Sequence, residues 1–204
     1  MAAKRLSSEE RRAQIASIAA KLFAKKGFSG ITTREIAKKA HVNEAILFRH
    51  FPTKEALYTE IINQKIHARP EEEFDLAAVT KGDDAEVFRS VARYFIKEVE
   101  KDNTLLRLML YSALEDHELA SVFIRERMNT LFGFLLDYVS KRTKDGVFKN
   151  IRPAVAVRSF VGMFFHFIMA YELFRVPKSL QISKKEAIGH FVDIFLNGIK
   201  ERGT

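Results

Sequence analysis

The residues best suited to chemistry in this chain lie between Thr32 and Phe51, in the stretch TTREIAKKAHVNEAILFRHF. Glu44, Arg49 and His50 fall on the polar side of a short amphipathic pattern that opens at Asn43, a good helix N-cap. An arginine can take guanine through two hydrogen bonds, a carboxylate can accept from a cytosine amino group, and Ala45 or Ile46 can meet a thymine methyl. Thr33, His50 and Lys54 suit phosphate, an attraction to which the positive ends of the neighbouring helices add. Ile46 has a second reading, packing against the first helix. Phe48 is either core or a contact to the sugar-phosphate backbone. This is chemistry of recognition rather than of bond making. The six His are scattered, and HExxH, a Gly-rich phosphate loop and a nucleophile elbow are all absent, so no enzyme, metal or cofactor is expected.

Two helices must position these groups. Thr32 with Glu35 makes a capping box that starts the first, and Asn43 starts the second after a tight turn. Two short helices so joined are a helix-turn-helix. Ahead of them, Ser7 and Glu10 cap a helix predicted to run to Lys26, with Ile15, Ile18, Ala19, Leu22 and Phe23 on one face and Gly27 at its end. Behind them, Pro52 stops the second helix and Thr53 caps another carrying Leu57, Ile61 and Ile62. Leu22, Phe23, Ile36, Val42, Leu47, Phe51 and Leu57 are the predicted core. Residues 1–69 hold 14 Lys+Arg against 6 Asp+Glu, whereas residues 70–204 hold 20 of each, so the whole formal excess of +8 lies in the first third. A basic segment coinciding with a helix-turn-helix is the footprint of phosphate binding.

On these residues the chain resembles TetR-family transcriptional regulators. The match runs through Ala16–Leu22, Phe23, Gly27, Thr32-Thr33-x-Glu35-Ile36-Ala37, Ala40-x-Val42, Phe48-x-x-Phe51 and Pro52-Thr53-Lys54-Glu55-x-Leu57. The family usually has Gly at His41 and often at Ala45, commonly Lys or Arg at Glu44, and an aromatic at Arg49, so a standard operator is not to be assumed. The resemblance implies an all-α protein. Residues 1–69 would be the DNA-binding domain and 70–204 a helical domain for effector binding and dimerisation. It implies a homodimer, most often a repressor, on a palindromic operator.

The second region agrees in pattern, with helices predicted from Asp83 or Asp84, over Thr104–Leu114 and His117–Arg142, from Pro153 to Arg175, and from Ser183 to Arg202. Phe160, Phe164, Phe167, Tyr171, Phe191, Ile194 and Phe195, with Gly162, Gly189 and Gly198 allowing close approach, are the expected dimer interface or else intrachain core. Phe95, Met109, Tyr111, Phe132, Phe165, His166 and Met169 are candidate pocket residues for a small hydrophobic effector. Arg158 and His166 could greet an acidic head group, or pair with carboxylates across an interface. The absence of Cys excludes disulfides and thiolate metal sites. The polar start shows no signal peptide, and the longest apolar window, Phe160 to Tyr171, is too short to span a bilayer, so a cytoplasmic, soluble protein is expected. The rival class, a structural or nucleoid-type DNA protein, would usually spread its basic charge rather than confine it.

Overall fold

The computed structural model describes residues 6–66, 76–115 and 132–201. The basic arm before Leu6, the Pro70–Glu73 stretch, residues 117–131 of a predicted helix and the chain end beyond Glu201 lie outside these residues. The helices are α1 (Ser8–Lys26), α2 (Thr33–Lys39), α3 (Glu44–His50), α4 (Lys54–Ile66), α5 (Leu76–Lys81), α6 (Asp84–Lys101), α7 (Thr104–Leu114), α8 (residues 132–144), α9 (Pro153–Glu172) and α10 (Lys184–Ile199). The only bridge among the described residues pairs Phe148 with Lys200. The fold is all α.

Two compact units emerge. The first joins α1–α4 to α7; the second holds α5, α6 and α8–α10. A division at residue 69 assigns Thr104–Leu114 to the second region, yet α7 packs on α1, and its Leu108 is fully buried in the first core with Leu105 and Met109 beside it. Ile15, Ala19, Phe23, Ile36, Leu47, Phe51, Leu57 and Ile61 fill that core, while Leu22 and Val42 are partly buried at its margin. Tyr58, which sequence reading passed over, is wholly buried there. Its ring meets Phe23 edge-on at 5.1 Å, and its hydroxyl shares a 2.6 Å bond with Ser112 and donates to the Leu108 carbonyl at 3.2 Å.

In the second unit Phe88 of α6 is the hub, its ring 4.8 Å from both Phe160 and Phe195. At the start of α6, Asp84 is only 3% exposed. Its carboxylate accepts from the Tyr138 hydroxyl (2.8 Å), from Arg142 (2.7 and 3.1 Å), and pairs with Lys200 (3.1 Å). Burial pushes this carboxyl up, but the bonds from Arg142, Tyr138 and Lys200 outweigh it and hold it below the usual aspartate range. Burial and the neighbouring Asp84 push the Tyr138 phenol up. One carboxylate thus ties α6 to α8 and to the end of α10.

α9 begins with Pro153 in its first turn, where a missing N–H costs nothing. It runs 20 residues with a mean hydropathy of 1.5, long and apolar enough by composition to span a membrane, which the shorter window read from sequence understated. Its inner face, Ala156, Val157, Phe160, Phe164, Phe167 and Ile168, is instead buried in the helical core.

Candidate nucleic-acid interface

The helix-turn-helix is built by local rules. Thr32 Oγ1 accepts from the Glu35 amide (3.1 Å) and Glu35 accepts from the Thr32 amide (2.9 Å), starting α2. Lys26, 2.8 Å away, and the Thr32 amide hold the Glu35 carboxyl down at about 2. After the C-cap Ala40, Val42 N–H donates to the Ala37 carbonyl (3.0 Å) and His41 N–H to that of Lys38 (3.3 Å), the Schellman arrangement. His41 sits at the left-handed position with φ 55°, where glycine is easier by about 1 kcal/mol. Asn43 Oδ1 then accepts from Ile46 N–H (2.8 Å) and opens α3.

α3 turns Leu47 fully inward and leaves Ala45, Phe48 and Arg49 exposed, Phe48 at 43%. Glu44, Ile46 and His50 are half-buried. Thr33 Oγ1 donates to Glu44 (2.8 Å), so the two groups assigned separately to phosphate and to bases form a pair. Phe48 is surface rather than core. Lys54 lies 4.3 Å over the Phe28 ring, and burial lowers its pKa against the opposing pull of Glu55, Glu115 and Glu35.

Two supports went unread in the sequence. Arg12 of α1 donates to the His50 carbonyl at the end of α3, pairs with Glu60 of α4 (3.1 Å) and lies 4.3 Å over the Phe51 ring. It fixes where α3 ends. Arg107, Tyr111 and Glu115 follow one another at four-residue intervals on one side of the α7 segment. Arg107 donates to the Ala24 carbonyl and Tyr111 to that of Lys25 (3.0 Å), while Glu115 accepts from the Phe28 amide (3.0 Å) and the Ser29 amide (3.3 Å). This clamp closes the end of α1 and the turn that precedes α2. The four-residue spacing was its only sequence signal.

The candidate pocket residues divide between the two units. Met109 packs on the first core and Tyr111 belongs to the clamp. Phe95 and Phe132 are half-buried, Met169 is partly exposed, and Phe165 and His166 face outward on α9, as does Arg158. A cleft of about 420 Å³ lies elsewhere, lined by Ile96, Val99, Glu100, Phe167, Ile168, Tyr171, Glu172, Ile182, Ser183 and Lys184. Two of its walls, Phe167 and Tyr171, had been assigned to the dimer interface. The residues expected at a dimer interface or in the intrachain core fall mostly into the core. Phe160, Phe164, Phe167 and Phe195 are buried within the chain, where Phe191 packs 5.4 Å from Phe164, because the stripe they share faces Phe88 and α10. Of that set only Ile194 is largely exposed, at 62%; it joins Val155 (50%) and Phe165 (37%) on the outer faces of α9 and α10.

A two-turn helix held rigidly by its inner face, with exposed side chains on the outer, in the chain's basic third, defines a helix-turn-helix DNA-binding protein. Residues 15–61 match the sequence profile of the bacterial regulatory proteins of the tetR family. The chain is 23% identical over 91% of its length to YvkB of Bacillus subtilis, an uncharacterized HTH-type transcriptional regulator, covering 95% of that protein. It is 31% identical to the nucleoid occlusion factor SlmA of Vibrio cholerae over 57% of each chain. Its fold is similar to AibR, solved in complex with isovaleryl coenzyme A and operator DNA (TM-score 0.67, 23% identity, 91% of this chain and 97% of that one). It is likewise similar to the ketosteroid regulator KstR2 of Mycobacterium tuberculosis (TM-score 0.66, 16% identity, 99% and 100%). Residues 15–61 thus carry the DNA-binding region of the tetR family of bacterial regulatory proteins, and the chain as a whole is similar to DNA-binding transcriptional regulators.

Proposed function

We propose that the protein is a ligand-responsive repressor. As a homodimer it sets two α3 helices into successive major grooves of a palindromic operator, and a small hydrophobic effector bound in its second unit releases it. The exposed face of α3 carries this reading, since Ala45 and Arg49 stand clear of the core with half-buried Glu44 and Ile46 beside them. Thr33, His50, Lys54 and the Phe48 ring flank them towards the sugar-phosphate backbone. AibR, solved with both a thioester ligand and operator DNA, supports sensing and DNA binding on one such fold. The site of action is the cytoplasm, where that DNA lies.

Operator binding measured against salt tests the residue roles. Lys54→Ala should weaken all sequences alike and lower the salt slope by about one. Arg49→Ala should relax preference at one defined base pair, with about 1–3 kcal/mol of discrimination lost there. Uniform weakening by Arg49→Ala would remove it from base readout.

The dimer reading rests on the outer stripe of α9 and α10. A Cβ added at Gly162 or Gly198 meets no described atom within 4 Å, so nothing described in the chain itself requires glycine there. Gly162→Arg should therefore leave monomer stability within about 0.5 kcal/mol or raise it, yet give monomers in sedimentation and lose the palindromic footprint. A dimer that survives this change lies on another face.

The SlmA similarity favours a second reading, a nucleoid-type DNA protein without a sensor. Footprinting separates them: one protected palindrome supports the regulator, uniform coating the alternative.

A further inference from the structure

The cleft between α6, α9 and the start of α10 has a polarity that its apolar walls conceal. Ile96, Val99, Phe167, Ile168, Tyr171 and Ile182 surround a space of about 420 Å³, within the range of small-molecule sites. Its charged rim consists of Glu100, Glu172 and Lys184. Lys184 pairs with Glu100, whereas Glu172 accepts only from the neutral Asn103 amide (2.8 Å) and has no cationic partner among the described residues. One negative charge is left over.

Both adjoining helix ends reinforce that sign. Glu172 is the last residue of α9, where aligned peptide dipoles present their negative end and attract cations. The start of α10 would be the natural seat for an anionic head group, but its own Glu186 already occupies it: Glu186 accepts from the Ser183 amide (2.8 Å) while Ser183 Oγ accepts from the Glu186 amide (3.1 Å). An anion would have to displace a bonded carboxylate; a cation would find an unmatched one. The Tyr171 hydroxyl, held by Ile182 N–H (2.6 Å) and donating to the Ile182 carbonyl (2.7 Å), ties the loop wall to α9 beside the Phe167 ring 4.6 Å away. Those aromatic faces favour an ammonium group further.

We propose that this cleft binds a compact apolar cation, an organic ammonium whose hydrocarbon part lies against Ile96, Ile168 and Phe167 and whose charge is matched by Glu172. This charge preference is the reverse of the acidic effector that Arg158 and His166 suggest, and both of those are on the outer side of α9. The inference rests on the reading that the second unit senses a small molecule, and its test is independent of DNA.

Octyltrimethylammonium, octanol and octanoate share one chain and differ in head-group charge. Titration calorimetry on the full chain should rank them in that order, the cation at least about tenfold tighter than the alcohol, as a charge-assisted contact implies. Glu172→Gln, on a partly exposed residue, should lower cation affinity about tenfold and leave octanol unchanged. Val99→Trp should block all three. Octanoate binding as tightly as the cation, or a Glu172→Gln variant that keeps full cation affinity, overturns the proposal. Binding in the expected order without any change in operator affinity supports the site and detaches it from the sensing role.

Discussion

Asp84→Ala is expected to destabilise the second unit by about 3–5 kcal/mol, the range for removing one partner of a buried ion pair. Asp84 is 2% exposed at its side chain and Arg142 only 19%, so alanine leaves a guanidinium and the Tyr138 hydroxyl without their acceptor. Lys200, at 43%, can recover water and should contribute little of the loss. In a chain of this size the unfolding midpoint should fall by roughly 10 °C. Asp84→Asn, which keeps an acceptor but not the charge, should lose less. The pH dependence has a definite sign. The folded carboxyl titrates below its unfolded value, so its stabilisation is complete above the unfolded aspartate pKa. It disappears as acid carries the pH from that value down through the folded one. A wild-type minus Asp84→Ala difference that stays flat below pH 4, or a loss under about 1 kcal/mol, would reduce the network to an ordinary surface cluster.

Gly27→Ala should cost about 2–4 kcal/mol in the first unit and weaken operator binding with it. Gly27 has φ 77° and ψ 175°, a conformation in which a side chain brings about 1–3 kcal/mol of strain. The added Cβ would also come within 2.3 Å of Glu115 Oε1 and 2.9 Å of the Tyr111 ring. Glu115 has to leave the Phe28 and Ser29 amides, and the turn into α2 loses its anchor. A double-mutant cycle separates the two effects. In a Glu115→Ala background the clash with the carboxylate should vanish, leaving the backbone strain and the closer approach to the Tyr111 ring. Equal costs in both backgrounds would show that the clamp and the glycine are uncoupled.

Helix starts were legible almost to the residue because they depend on neighbours in sequence. Ser7 with Glu10, Thr32 with Glu35 and Ser183 with Glu186 each complete the box that their spacing predicts. Asn43, Thr53 and Asp83 cap as expected. What could not be read was which apolar stripe of α9 turns inward. One runs through Phe160, Phe164 and Phe167, the other through Val155, Gly162 and Phe165. Hydrophobicity does not rank them, and the choice is made by Phe88 and Phe195 from distant elements. That one ambiguity left the α9 residues open between core, pocket and interface. α7 was found in place and length, but its partner was not, since its bonds reach 83–87 residues back along the chain.

The DNA face was legible in its types and less so in its pairings. The sequence shows Thr33 and Glu44 as separate candidates, and only the packing of α2 against α3 brings their side chains together. Arg12 was invisible for the same reason, its bonds to His50 and Glu60 spanning 38 and 48 residues.

α3 is seven residues long, too short to persist by itself in water. Its shape is borrowed from Arg12, Leu47, Phe51 and the Asn43 cap, and none of these is among the exposed side chains Ala45, Phe48 and Arg49 that would meet DNA. Inheritance can therefore alter Ala45, Phe48 and Arg49 while the scaffold stays intact. Duplicated copies of such a gene would be free to drift towards new operators without first passing through an unfolded protein.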